Sequence, residues 1–210
     1  MPLLKEIQQY WDRAFTHAAR HRGLRTVGGY GYTDDGIHVA SVALVISRRS
    51  DPLRISWWVE IKPLKLDDIL RDAFLPTLDV GPAKRRSLRV NGAFAAPALR
   101  LDRGEYLVAL VEEPASTVNA VLDRFEDLRT EYLRVAPDPH DFIDQAQLRA
   151  SDANSVSPSA RLREALALVV AHRNDEAVRL LRNELDNHRH GPMGGPDGDV
   201  FDLLLKYLER

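Results

Sequence analysis

Cysteine is absent from the chain, and with it go disulfides, thiolate metal sites, iron–sulfur clusters and cysteine nucleophiles. Long uncharged apolar runs are missing too, none approaching the roughly 18 residues that a membrane-spanning helix needs. The first residues, Met1-Pro-Leu-Leu-Lys-Glu-Ile-Gln-Gln, lack the basic start and continuous apolar stretch of a secretory signal. A cytoplasmic protein with no membrane partner is therefore expected. Charge of one sign is not in excess: 29 basic against 31 acidic residues leave a net charge of −2. No whole-molecule field would draw in nucleic acid, and nucleic acid is not the expected partner.

What is present is an ordinary globular composition. Hydrophobic residues make up 44% and charged residues 29%, enough apolar material to bury a core and far from the signature of disorder. A length of 210 residues accommodates one large domain or a domain with an appendage.

The periodicity changes along the chain. Leu4, Ile7, Trp11, Ala14 and Ala18 recur at three and four residue spacing, with Tyr10 and Phe15 on the flanks and Gly23 placed for a C-cap, which predicts a helix over 3–21. Three runs in strand language follow, Leu24 to Thr33, Ile37 to Ser47 and Leu53 to Lys62, with connections short enough for an antiparallel meander. The middle run is apolar on nearly every position, as a central strand covered on both faces would be.

Leu66, Ile69, Leu70 and Phe74 then give a short helix stopped by Pro76. Leu88 to Leu101 reads as a bulged or edge strand interrupted by Gly92 and Pro97. Glu105 to Glu113 fits strand or helix, and its shortness and the closing Pro114 favour a strand. Val118, Leu122, Phe125, Leu128, Tyr132 and Val135 form a helical stripe of about five turns. Gln145 to Ser159 is small, polar and aperiodic, and reads as a connector.

Beyond it lie three helices. Ser157-Pro158 starts the first, carrying Leu162, Leu166, Val169 and Val170; Asn174 caps a second with Ala177, Val178, Leu181 and Leu185; and Phe201, Leu204, Leu205 and Leu208 mark a third. The stretch Ala165 to Leu185 is similar to a single tetratricopeptide-type hairpin. A solenoid, however, needs about three copies, and an ordinary helix pair is the plainer reading.

The expectation is an α+β fold. Residues 1–145 form a domain in which an antiparallel meander sheet is packed by helices, and residues 158–210 form a C-terminal three-helix appendage.

Chemistry is most concentrated in Ile55-Ser-Trp-Trp-Val-Glu60-Ile-Lys62. On a strand Glu60 and Lys62 project to the same face. With Asp35 as a second carboxylate and Glu6 as a third, they could hold Mg²⁺ while the lysine assists an attacking water. Helix, meander, acid-x-lysine on the third strand and helix together resemble the core of the restriction-endonuclease-type fold, which implies a Mg²⁺-dependent nuclease or phosphodiesterase. The plainer reading is an edge-strand ion pair that guards against aggregation. Trp57 and Trp58 straddle the sheet, offering aromatic surface to a small-molecule ligand.

Other clusters carry less. Gly28-Gly29-Tyr30-Gly31-Tyr32 lacks the lysine, hydroxyl residue and helix of a phosphate loop and reads as a flexible or bulged strand. Asp186, His188, His190, Asp197 and Asp199 surround a glycine-rich loop without ligand spacing, so no metal site is assigned. Lys84-Arg85-Arg86 with Arg89, and Arg48-Arg49 with Arg54, are basic turns without interleaved aromatics.

Lys62-Pro-Leu-Lys-Leu-Asp-Asp-Ile-Leu70 and Arg89-Val-Asn-Gly-Ala-Phe-Ala-Ala-Pro97 resemble segments of uncharacterised bacterial α+β proteins of immunity-like type, over residues 20–110. The resemblance implies a fold more than an activity. The reading that results is a non-catalytic, cytosolic, immunity-like binding protein acting through a protein partner and needing no cofactor. The alternatives are the Mg²⁺ enzyme built on Asp35, Glu60 and Lys62, and a small-molecule binder using Trp57 and Trp58.

Overall fold

A computed structural model of the chain describes residues 2–47, 52–74, 95–109, 113–151, 157–195 and 198–210. Among these residues, seven α-helices and a five-stranded antiparallel sheet make the expected α+β fold. In chain order they are α1 (Pro2–His21), β1 (Arg25–Val27), β2 (Tyr30–Asp34), β3 (His38–Ile46), β4 (Leu53–Pro63), α2 (Leu64–Phe74), β5 (Leu99–Val108) and α3 (Ala115–Val135). A 3₁₀ turn at Pro139–Asp141 leads into α4 (Phe142–Ser151), α5 (Pro158–Val170) and α6 (Asn174–Asp186); a two-residue strand pair, β6 (Gly194–Gly195) and β7 (Gly198–Asp199), precedes α7 (Val200–Leu208). No helix among the described residues is long and apolar enough to cross a membrane.

Two compact units share the chain: Met1–Asp35, Val39–Ile61 and Arg100–Val135 in the first, and Gly36–His38, Lys62–Leu99 and Ala136–Arg210 in the second. The boundary expected at residue 145 thus falls inside the second unit.

In the first unit the strand order is β1-β2-β3-β4-β5. The run from Leu24 to Thr33, expected as one strand, is a hairpin in which Val27 pairs with Tyr30 across Gly28 and Gly29. Both glycines have positive φ, 52° and 83°, as a two-residue turn of this hand requires. Trp11, Phe15 and Ala19 of α1 are fully buried, so the apolar stripe is rotated by about one position from Ala14 and Ala18. Gly31 faces that stripe with space for a β-carbon at ordinary van der Waals contact. A β-carbon there would sit 3.4 to 3.5 Å from Ala19, Leu24 and Phe15. Helix α3 buries Val118, Leu122, Phe125, Leu128 and Tyr132 as expected, while Val135 is exposed. Arg22, at the end of α1, ties to α3 through Asp123 at 2.6 Å and Asn119 at 3.1 Å.

In the second unit the helical tail does not stand alone. α5 packs on α2, α4 and α6, and α7 packs on α2 and α6. Leu66 and Leu70 of α2 are buried, as are Leu162, Leu166, Leu181, Phe201 and Leu204 of the tail. The segment expected as a connector is helical as far as Ser151 in α4. Asp138 starts this region with a capping box, and Phe142, Ile143 and Ala146 supply a buried face too short to show as a period. Ser157 caps α5 as expected, accepting from the Ala160 amide at 3.2 Å. Asn174 is the first residue of α6, with Arg173 in the cap position.

Strand β5 runs from the end of one expected strand into the start of the next, and Leu88 to Phe94 lie outside the described residues. Within β5, Gly104 faces the indole of Trp57 so closely that a β-carbon would come within 2.7 Å of the ring. Replacing Gly104 by Ala should therefore lower stability by about 1–3 kcal/mol, the typical range for overpacking, as read by urea unfolding; an unchanged midpoint would show that the ring has room to move.

Candidate functional site

Strand β4 separates its side chains cleanly. Leu53, Ile55, Trp57, Val59 and Ile61 are buried, while Arg54, Ser56, Trp58 and Glu60 alternate with them on the opposite face. Its register with β3 is fixed by two hydrogen bonds: the Ser47 amide donates to the Arg54 carbonyl, and the Leu64 amide to the Ile37 carbonyl, each at 2.8 Å. Both imply the same pairing, which sets Ala43 opposite Trp58. Tyr30 of β2 pairs with Ala43 from the other side. The small alanine between them lets the two rings meet edge to face, with centroids 6.2 Å apart.

Arg100 of β5 completes the group. Its guanidinium lies over the Trp58 ring, 5.4 Å from the centroid, and its Nη2 donates to Glu60 Oε1 at 2.7 Å. Nε donates to the same oxygen at 3.2 Å. Farther along the face, Glu105 accepts from Ser56 at 3.4 Å and pairs with Arg54 at 3.5 Å. Arg100 and Glu105 reach the same face although they are five positions apart, as one extra residue in β5 would produce. Two exposed aliphatic residues flank the cluster: Val45, opposite Ser56, at 49% and Leu107 at 65%. The Tyr30 phenol is held above its ordinary pKa, first by burial and then by the charge of Glu60, with Arg100 pulling the other way.

Lys62 has a different set of partners. It is 3% exposed, and its Nζ donates to Asp67 Oδ1 and to the Ala96 carbonyl, both at 2.7 Å. The Ala96 amide donates to the same Asp67 oxygen at 2.7 Å. Lysine, carboxylate and peptide group form a buried network in the second unit, which gives the lysine's charge hydrogen-bonded partners.

The expected set is therefore divided. Glu60 is engaged by Arg100 and Lys62 by Asp67, so the two are not an ion pair. Nor is β4 an edge strand, since β3 and β5 flank it. Asp35 lies exposed beyond β2 and Glu6 exposed on α1. Of the two tryptophans, Trp58 joins the surface group and Trp57 is in the core against Gly104. Asp199, expected in a solvated loop, caps α7 by accepting from the Phe201 amide at 2.9 Å and also accepts from the Gly191 amide. Among the described residues no three or more His, Asp or Glu side chains converge as a metal site. Arg100 and Tyr30 were not singled out from the sequence, because the contacts that join them to Trp58 cross three strands.

No protein-family model, curated protein or solved structure matches the chain.

Two outcomes separate the buried network from the surface group. Lys62→Ala should cost about 3–5 kcal/mol, the range for stranding a buried partner charge, whereas Glu60→Gln should cost no more than about 1 kcal/mol, as for an exposed pair. Chemical denaturation measures both. The Tyr30 phenol, followed by ultraviolet titration against a Tyr30→Phe reference, should ionise at lower pH in Glu60→Gln, where a raising charge has gone. It should ionise at higher pH in Arg100→Ala, where a lowering one has.

Proposed function

We propose that this chain is a non-catalytic cytoplasmic binding protein, immunity-like in acting by occupying a protein partner, and that it does so through the sheet face built from Tyr30, Trp58, Glu60 and Arg100. The observation that carries the reading is the seating of Arg100 over Trp58, braced by Glu60 and with Tyr30 at the ring edge. Tryptophan, tyrosine and arginine are the residues in which binding energy concentrates at protein interfaces. Here their side chains are already held by one another, which reduces the ordering cost of association. The exposed Val45 and Leu107 add apolar area around them. A sheet face carrying these residues suits a protein partner, whereas a small molecule favours an enclosed cleft.

The nuclease alternative loses support from the same contacts. A magnesium site built on Glu60 would have to compete with the Arg100 guanidinium for the carboxylate, and Lys62 would have to leave Asp67 and Ala96 to reach a water.

The test uses a partner isolated with the wild-type chain and then purified. Trp58→Ala and Arg100→Ala should each weaken direct binding by at least about 2 kcal/mol, close to thirtyfold, with unfolding midpoints little changed, while a substitution at exposed Leu148 of α4 should leave affinity intact. Equal affinity in all variants would move the interface elsewhere. Incubation of the wild type with DNA or RNA and Mg²⁺ or Mn²⁺ should give no cleavage. Cleavage that disappears in Glu60→Gln would instead establish the enzyme.

A further inference from the structure

Helices α1, α5 and α6 end in the same way. In each, a residue of positive φ donates back to the second residue from the helix end and the next residue donates to the third: Gly23 and Leu24 to Arg20 and Ala19, His172 and Arg173 to Val169 and Leu168, His188 and Arg189 to Leu185 and Glu184. Glycine adopts that conformation freely, and α1 uses it. α5 instead places His172 there at φ 58°, where a β-carbon meets steric resistance. Its imidazole lies beside a second one. The His172 and His140 rings lie with centroids 5.2 Å apart and planes tilted by 37°. Both belong to the second unit, and both side chains are exposed to solvent.

That spacing matches a metal chelate. Two imidazoles bound to one tetrahedral ion through metal–nitrogen bonds of about 2.0–2.1 Å have ring centres about 5 Å apart. The surroundings favour a cation. Asp138 Oδ1 lies 3.9 Å from His140 Nε2, and the flanking segments carry Asp141, Asp144 and Glu176 beside the guanidinium groups of Arg173 and Arg179. Arg173 is paired with Glu176 through bonds of 2.6 and 2.7 Å.

We propose that His140 and His172 form a two-imidazole site for a late first-row divalent transition-metal ion of the zinc, copper or nickel class. These ions accept neutral imidazole, unlike magnesium or calcium, which take oxygen ligands. Water fills the remaining coordination positions. The site belongs to the second unit and the Tyr30–Trp58–Arg100 face to the first, and it does not depend on the function proposed for that face.

The experiment is calorimetric titration of the tag-free full chain with zinc chloride and then nickel chloride, accompanied by thermal unfolding with and without metal. Wild type should bind one equivalent saturably and unfold at a higher temperature when loaded. His140→Ala and His172→Gly should each lose both effects, and His172→Gly, which removes the β-carbon from the cap, should unfold metal-free no earlier than wild type. His188→Gly alters the equivalent cap of α6 and should keep the binding. Absence of saturable binding by the wild type would overturn the proposal. So would binding that survives in the His140→Ala/His172→Gly double variant, since the metal would then sit elsewhere, such as at His17 and His21 one turn apart on α1.

Discussion

The pairing register between β3 and β4 is the constraint on which the surface chemistry of this protein depends. Side chains alternate along a strand, so a slip of one residue would turn Trp58 and Glu60 into the core and Trp57 and Val59 out of it. Nothing in the hydrophobicity of Trp57 and Trp58 distinguishes them. The hydrogen bonds from Ser47 to Arg54 and from Leu64 to Ile37, one at each end of the paired region, remove the ambiguity. Burial follows the register: Leu53, Ile55, Val59 and Ile61 are each no more than 1% exposed. The cost of turning such an apolar row to solvent, about 1.5–3 kcal/mol for each large side chain, greatly exceeds anything the opposite face could return.

With the register fixed, the two charged residues of β4 have different environments. Glu60 remains partly solvated and is held by Arg100, a pair of the kind that contributes about 0–1 kcal/mol to stability. Its value is to orient the guanidinium over Trp58. Lys62, two residues on, is enclosed, and Asp67 and the Ala96 carbonyl meet its charge at hydrogen-bond distance. The same residue spacing that suggested a catalytic pair thus yields a surface clamp and a buried staple. The Ala96 amide, bound to the same Asp67 oxygen, draws the backbone ahead of β5 into that staple.

Much of the fold was legible because apolar period and local breakers agree. The first helix, the β3 and β4 strands, the Leu66 to Phe74 helix, the long α3 stripe and the three C-terminal helices all appear where spacing placed them. What failed was local geometry with little apolar signal. The Gly28-Gly29 hairpin turn was hidden within a run that alternates like one strand, and α4 was hidden because three buried residues, Phe142, Ile143 and Ala146, sit in a polar, small-residue segment. The site was legible in part. Trp58 and Glu60 were named from alternation alone, but their partner Arg100 lies 40 residues beyond Glu60. Lys62 was assigned to the wrong carboxylate because Asp67 approaches it only after the turn from β4 into α2. The meeting of His140 and His172 has no sequence signature, since it depends on a left-handed helix cap.

The central claim is that Glu60 and Lys62 act in separate groups. A double-mutant cycle on stability, using Glu60→Gln, Lys62→Met and their combination in urea unfolding, tests it most directly. Independent sites should add to within about 0.5 kcal/mol, which is the result predicted here. A coupling above about 1 kcal/mol, within the range found for residues in direct contact, would contradict it and restore the pair as a unit.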